Sequence, residues 1–400
     1  MASTASCHRV WHDPYEFENG KIEFHNIKNK LIAREKMLNG EWPGRGCEHC
    51  KLTENAGGHS DRMSHLDMPG VTAPKELQTD IKAVNVTPTQ LEIYFSNTCN
   101  LKCMYCNGKF SSTIDNENRI HGKFVYGDPY DVGNHVYIPQ QLELNPNIER
   151  DTNSLFEWLE SHIQDLNKIM ILGGEPFLQK ETDRLIKLLE QTSNPNLDLV
   201  VFSNLTVDPM RVQKWLARMW SLVESGRLNH MQVAGSLDCW GPQAEYVRNG
   251  LDLAKFTSNF EFILNKTKIT PSINSAMTAL TIPTLPDLIE RVNTWSKTRE
   301  VYWSGMKAGD EHRLFLHPTI FGEKIIPFGL QRAIDIFETN GDKIKSLQLE
   351  NLKGITTECK NTKEDKNQQK LLHIYLKELD RRRGTDYKKL FPQFHALFSQ

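Results

Sequence analysis

No apolar run in the 400-residue chain approaches the 18 or more residues that a membrane helix needs. The opening Met1-Ala-Ser-Thr-Ala-Ser6 lacks the basic and apolar regions of a secretory signal, so a cytoplasmic location is expected. A charge excess is missing as well. With 48 basic residues against 50 acidic ones, there is no electrostatic argument for nucleic acid or an anionic membrane as partner, and neither is expected. No long internal repeat is present. In a reducing compartment the eight cysteines, at positions 7, 47, 50, 99, 103, 106, 239 and 359, read as metal ligands or reduced thiols rather than disulfides.

A single barrel of about 250 residues with a smaller appendage would account for the length. The most informative stretch is Cys99-Asn-Leu-Lys-Cys103-Met-Tyr-Cys106, directly after the strand-like run Leu91-Glu-Ile-Tyr-Phe-Ser96. Three thiols within eight residues can converge on one metal centre and leave a fourth position without a protein ligand. Iron–sulfur clusters usually take four thiolates, so either a distant ligand completes the set or one iron is open to another molecule. A structural zinc site is the competing reading. Zinc favours paired CxxC units with a further Cys or His close by, and none follows within this loop.

From residue 151 onward apolar strands alternate with amphipathic helices, the pattern of βα units on a parallel sheet. Strands are expected at 91–96, Lys168–Leu172, Leu197–Phe202, Met231–Leu237, within Ile269–Ile282, and at Arg313–His317. Asp151 is expected to cap a helix carrying Leu155, Phe156 and Leu159. Later helices bury Leu185, Leu188 and Leu189, then Val212, Trp215, Leu216 and Met219, then Leu285, Leu288, Ile289, Val292 and Trp295. A C-terminal helix with Leu372, Tyr375, Leu376 and Leu379 ends in Asp380-Arg-Arg-Arg-Gly384, its basic cluster read as a solvated end favourable to the helix dipole.

Residues 71–90, with Pro74 and Pro88, read as a linker. The polar stretch 107–150, including Gly127–Tyr130 and Asp131–Asn134, reads as a lid beside the cysteine loop or as a solvated insertion. Residues 1–70 contain Cys7, a turn at Asn19-Gly20 and a short helix with Ile27, Leu31 and Leu38 on one face, stopped by Gly40. Cys47-Glu-His-Cys50 and a polar run through Glu54, Gly57, Ser60 and Arg62 follow.

The CxxxCxxC spacing resembles the motif of the radical S-adenosylmethionine (radical SAM) superfamily, and Gly173-Gly174-Glu175-Pro176, ending the next strand, resembles its GGEP motif. The resemblance implies an α/β fold with a partial (βα)6 TIM-like barrel over 91–325, a small Cys-rich domain before it and a C-terminal helical extension over 326–400. It implies a 4Fe-4S cluster on Cys99, Cys103 and Cys106 whose remaining iron binds the amine and carboxylate of SAM. The implied activity is that of an oxidoreductase: one electron cleaves the sulfonium, and the resulting 5'-deoxyadenosyl radical abstracts a hydrogen atom from substrate. By the same resemblance Glu175 lies near the methionyl ammonium, Ser203, Asn204, Ser236 and Asp238 face the SAM carboxylate and ribose, and Tyr105 lies beside the adenine. Arg248 is a candidate for the carboxylate, which its planar fork suits. Ordinary turn roles for the strand-end residues and a surface role for Arg248 remain open. Cys239 is either a substrate-facing thiol or a buried small residue, and burial is the commoner fate.

Residues 1–70 resemble the twitch or SPASM-type accessory domain of these enzymes, here placed before the barrel in the manner of phage-type relatives. That implies an auxiliary iron–sulfur cluster on Cys7, Cys47 and Cys50, with His25 or Cys359 as a fourth ligand. A zinc knuckle completed by His49 or His25 is the alternative. Cys359 otherwise sits in a polar region with no role. The expected partners are a peptide or protein substrate and an electron donor such as flavodoxin or ferredoxin. Two other readings stay open: an enzyme of the superfamily acting on a small molecule such as a nucleotide or sugar, and a non-catalytic zinc-binding interaction module.

Overall fold

The structure is a computed structural model and describes residues 3–7, 14–18, 21–44, 46–55, 57, 60–66, 73–122, 124–126, 136–137, 146–308, 313–339, 345–392 and 394. Six strands, Gln90–Tyr94, Lys168–Leu172, Asn194–Ser203, Leu228–Ser236, Thr270–Met277 and Tyr302–Lys307, lie side by side in chain order and all run parallel. The connections after the second strand cross over through the helices Lys180–Gln191, Pro209–Glu224, Leu253–Lys266 and Leu285–Ser296. The fold is α/β, a partial TIM-like barrel, as expected. Because helices cover one face of the sheet and the barrel interior the other, its strands read as near-continuous apolar runs; Ile169, Ile171, Leu199, Val201 and Val233 are all buried. Local chemistry agrees with these elements. Asp208 and Asp252 cap their helices by accepting from Arg211 N and Lys255 N, and Pro209 fits the first helical turn.

Three expectations are corrected here. The sixth strand is Tyr302–Lys307, whereas Leu314–Leu316 forms one 3-10 turn. As an edge strand, Tyr302–Lys307 buries Trp303 and leaves Tyr302, Ser304, Met306 and Lys307 exposed, so it carries no apolar run; the Phe315-Leu316 run is buried without joining the sheet. The helix expected to start at Asp151 starts at Ile148. Asp151 is instead buried in its first turn, where it accepts from the Tyr15 hydroxyl and from Arg150. The third concerns Asp380-Arg-Arg-Arg. The helix Lys366–Arg383 ends at a left-handed Gly384, but only Arg381 is solvated. Arg382 lies over the Phe124 ring and donates to Asn118 and the Gly122 carbonyl, and Arg383 forms a two-pronged pair with Glu117.

The N-terminal unit has a hairpin, Glu16–Glu18 with Lys21–Glu23, and the helix Lys28–Leu38. Ile27 is buried but Leu38 is 47% exposed, so the expected apolar face stops short of the helix end. This unit leans on the barrel. Phe24 packs edge-on against Trp158, and Arg34 donates to the Val84 carbonyl and to Asn26. Residues 71–90 include one short helix, Glu76–Thr79. The stretch 107–150 includes the helix Ser112–His121, capped by Ser111; Gly127–Tyr130 and Asp131–Asn134 lie outside the described residues. Among the described residues no helix is long and apolar enough to cross a membrane.

Candidate functional site

The cysteine loop leaves the carboxyl end of the first strand, the end at which parallel barrels build their sites. Its shape comes from the residues between the thiols. Leu101 and Met104 are buried, so they anchor the loop and leave Cys99, Cys103 and Cys106 half-buried around it. Ser111 and Thr113 hydroxyls each donate to the Leu101 carbonyl at 2.7 Å, Cys99 N donates to Ser112 Oγ at 3.1 Å, and Met104 N donates to the Val247 carbonyl at 2.8 Å. Lys102-Cys103 pairs antiparallel with Arg248-Asn249. The Tyr375 hydroxyl, from the C-terminal helix, donates to the Met104 carbonyl. Arg313 donates to the carbonyls of Tyr105 and Cys106.

The three thiols share one electrostatic neighbourhood. Burial and then the charge of Cys103 push Cys99 up to about 12, and burial and Cys103 do the same to Cys106. Burial raises Cys103 too, opposed by the Arg248 guanidinium, whose Nη1 stands 3.9 Å from its sulfur. Metal binding there would release protons. Three thiols in one electrostatic neighbourhood are a donor set that fits an iron–sulfur cluster with one iron left open.

Beside the loop, the second strand turns through Gly173 and Gly174, both in the left-handed region at φ 76° and 57°. A Cβ on Gly174 would lie 2.5 Å from the Thr98 carbonyl oxygen, so glycine is what allows this turn to press against the loop. Glu175 N completes the contact by donating to Thr98 O at 2.7 Å. The Glu175 carboxylate is fully buried and accepts from Ser203 Oγ, Asn204 N and Phe177 N at 2.8, 2.7 and 3.1 Å. Burial pushes its pKa up to about 7 against those bonds. Pro176, also buried, opens the 3-10 turn that follows. Glu175, Ser203 and Asn204 thus form one cluster. Asn204 Nδ2 extends it to Asn100 Oδ1, inside the cysteine loop, at 2.9 Å. Leu205 follows at φ 49°, the one non-glycine residue with positive φ among the described residues. That strained conformation marks the strand end.

A second cluster closes the other side. Asp238 is fully buried and accepts from Arg248 Nε and Nη2 at 2.8 and 2.7 Å, from the Tyr105 hydroxyl at 2.8 Å and from Ala276 N at 2.8 Å. Arg248 is no surface residue: it is buried, paired with Asp238, and lies 5.4 Å from the Tyr105 ring. Ser236 is half-buried at the end of the fourth strand, in register with Asn274. Cys239 is buried in the core.

In the N-terminal unit Cys7 is exposed, Cys47 half-buried and Cys50 buried. Burial, then Glu48 and the charges of Cys7 and Cys50, raise Cys47, so these thiols also lie near one another. Glu54 accepts from Ser60 and from both prongs of Arg62, whose guanidinium lies 5.0 Å from the Trp42 ring. Burial and the cations Arg34 and Lys30 hold His25 neutral, at about 3. Cys359 is buried in the core on the helix Lys345–Asn361, not in a polar surface region.

Sequence reasoning missed Asn100, Glu117, Arg313, Tyr375 and Arg383. Asn100 lies inside the motif and Glu117 shortly after it, and neither was read as part of the site; the others reach the loop across long sequence separations that carry no local signal.

No protein-family model matches the chain. No curated protein matches it either. Among solved structures it is similar to anSMEcpe with bound AdoMet, at 17% identity over 63% of this chain and 60% of that one, TM-score 0.35. Native anSMEcpe with bound AdoMet and Kp18Cys peptide gives 16% identity over 62% and 59%, TM-score 0.36. SuiB from Streptococcus suis bound to precursor peptide SuiA gives 14% identity over 76% and 64%, TM-score 0.41. The chain thus spans about 60% of the length of the first of these. At such scores the reading of the site stands on its own residues.

Proposed function

We propose that the chain is a radical SAM enzyme that modifies a peptide or protein. The observation that carries this is the frame around Cys99, Cys103 and Cys106: three half-buried thiols at the carboxyl end of a parallel sheet, sharing one electrostatic neighbourhood, with the Gly173–Pro176 turn pressed against them. When bound, a 4Fe-4S cluster and SAM supply one-electron cleavage of the sulfonium and a 5'-deoxyadenosyl radical for hydrogen abstraction. The protein supplies binding, orientation and exclusion of water. Cys99, Cys103 and Cys106 would hold the cluster and leave one position vacant for SAM. Glu175 fixes Ser203 and Asn204, which would present the strand end to the methionyl group. Arg248 and Asp238 fix Tyr105, which would flank the adenine beside Ser236.

Residues 1–70 would form the auxiliary-cluster unit, with Cys7, Cys47 and Cys50 as ligands and His25 as a candidate fourth. Residues 71–90 would link it to the barrel at 91–325, with 107–150 as a lid and 326–400 as an extension. Electrons would come from a flavodoxin- or ferredoxin-like donor, and the resemblance of residues 1–70 to SPASM-type domains supports a peptide substrate.

The test is anaerobic reconstitution followed by iron and sulfide analysis, then dithionite and SAM with assay of 5'-deoxyadenosine. About eight irons per chain support two clusters and about four support the barrel cluster alone. Zinc in place of iron, or no 5'-deoxyadenosine, overturns the proposal. Mass spectrometry of candidate peptides for a small mass change tests the substrate class.

A further inference from the structure

Behind the cysteine loop lies a group of charges that holding SAM or substrate does not require. Glu117, on the helix Ser112–His121, is buried and takes Lys102 Nζ at 3.0 Å on one side and Arg383 Nε and Nη2 at 3.1 and 3.0 Å on the other. Lys102 is the residue before Cys103, and Arg383 ends the C-terminal helix. Two cations and one carboxylate leave one net positive charge. The third nitrogen of Arg383, Nη1, is buried and makes no hydrogen bond to any described residue. Arg383 and Glu117 also line a small cavity together with Cys103 and Cys106. A buried donor without an acceptor is costly, and a guanidinium held with one prong open beside two thiols suits an anionic centre bound by them. Arg248, by contrast, is matched by Asp238 and adds little net charge.

We propose that Arg383, held by Glu117 and Lys102, is an electrostatic tuning residue that stabilises the reduced form of the cluster bound at Cys99, Cys103 and Cys106. This rests on the function proposed above. Three thiolates make a four-iron cluster anionic, and the electron delivered by the donor makes it more so. A fixed positive charge in a poorly solvated site favours the more negative state. The C-terminal extension would thereby ease reduction of the cluster, the step that SAM cleavage depends on.

The test uses the full-length reconstituted protein, titrated with dithionite and followed by EPR, reading the midpoint of the signal that responds to SAM. Arg383→Met should lower that midpoint by about 59 mV, a tenfold change for a one-electron couple. Arg383→Lys should stay near wild type. The double variant Glu117→Gln/Arg383→Met, which restores the net charge through Lys102, should return toward wild type, a result that a purely structural role would not produce. An unchanged midpoint in Arg383→Met at wild-type iron content overturns the inference, as does a shift that the double variant fails to reverse. If Arg383→Met loses iron, retention with a wild-type midpoint in the other two variants supports the inference, and loss in Arg383→Lys overturns it. Wild-type protein without a reducible cluster at this loop overturns the proposed function itself.

Discussion

The two cysteine triplets differ in what shapes them. Around Cys99, Cys103 and Cys106 the intervening Leu101 and Met104 are buried in the core, and hydroxyl, backbone and guanidinium donors from five separate segments fasten the loop. Cys7 and Cys47 come from separate segments, Cys7 is exposed, and the nearby network of Glu54, Ser60, Arg62 and Trp42 includes the exposed Arg62. The first site is a property of the fold before any metal arrives. The second would owe much of its order to its metal, since ligands not preformed make binding energy serve as folding energy.

That contrast is sharpened first by paired cysteine variants. Cys103→Ala should abolish 5'-deoxyadenosine formation, while Cys47→Ala should cost about half the iron and leave 5'-deoxyadenosine formation in place; loss of the product in both would break the distinction. Next come two glycines, both in the left-handed region. Gly174→Ala should destabilise the protein by more than about 3 kcal/mol, because backbone strain adds to a clash 2.5 Å from the Thr98 carbonyl. Gly57→Ala, with no described residue within 4 Å of its Cβ, should cost about 1 kcal/mol. Urea unfolding reads both, and equal losses would deny the barrel site its tighter frame.

Glu175 offers a pH test. Its folded carboxyl, held near 7 by burial, binds its proton more tightly than an unfolded one at about 4.5. Stability present at the acid end should therefore fall as the pH rises from about 4.5 to 7, by at most about 3 kcal/mol, and level off above that. Unfolding of Glu175→Gln should lack this decline, and a parallel slope in variant and wild type would show that the group titrates normally. Smallest of all, Leu38→Ala in the N-terminal helix should shift stability by no more than about 0.5 kcal/mol, against about 2–5 kcal/mol for Leu185→Ala in the barrel. A large effect at Leu38 would reveal a core in the N-terminal unit that its 47% exposure argues against.

Much of the barrel was legible because parallel strands covered on both faces announce themselves as apolar runs, and the helices between them as 3.6-residue stripes. The strand Lys168–Leu172 was placed correctly on those grounds, and the glycine turn after it through the Gly173–Pro176 motif. The edge strand Tyr302–Lys307 was missed because one side of it faces away from any neighbour, which removes the pattern that reveals its fellows. Asp151 was misassigned because a capping residue and a buried carboxylate look alike in sequence, and its partner Tyr15 lies 136 residues away. Arg382 and Arg383 were read as solvated for the same reason: the helix end explains a basic cluster locally, while Glu117 and Asn118 stand more than 260 residues upstream.

The strap between the last long helix and the cysteine loop also fixes an order of events during synthesis. Tyr375 meets Met104 across 271 residues and Arg383 meets Glu117 across 266, so neither contact exists until the segment through Tyr375 or Arg383 has left the ribosome. Until then the nascent loop is unbraced, and iron delivered early would meet thiols not yet held in place. Any metal held by this loop should therefore meet a braced site only after residue 383 has been made.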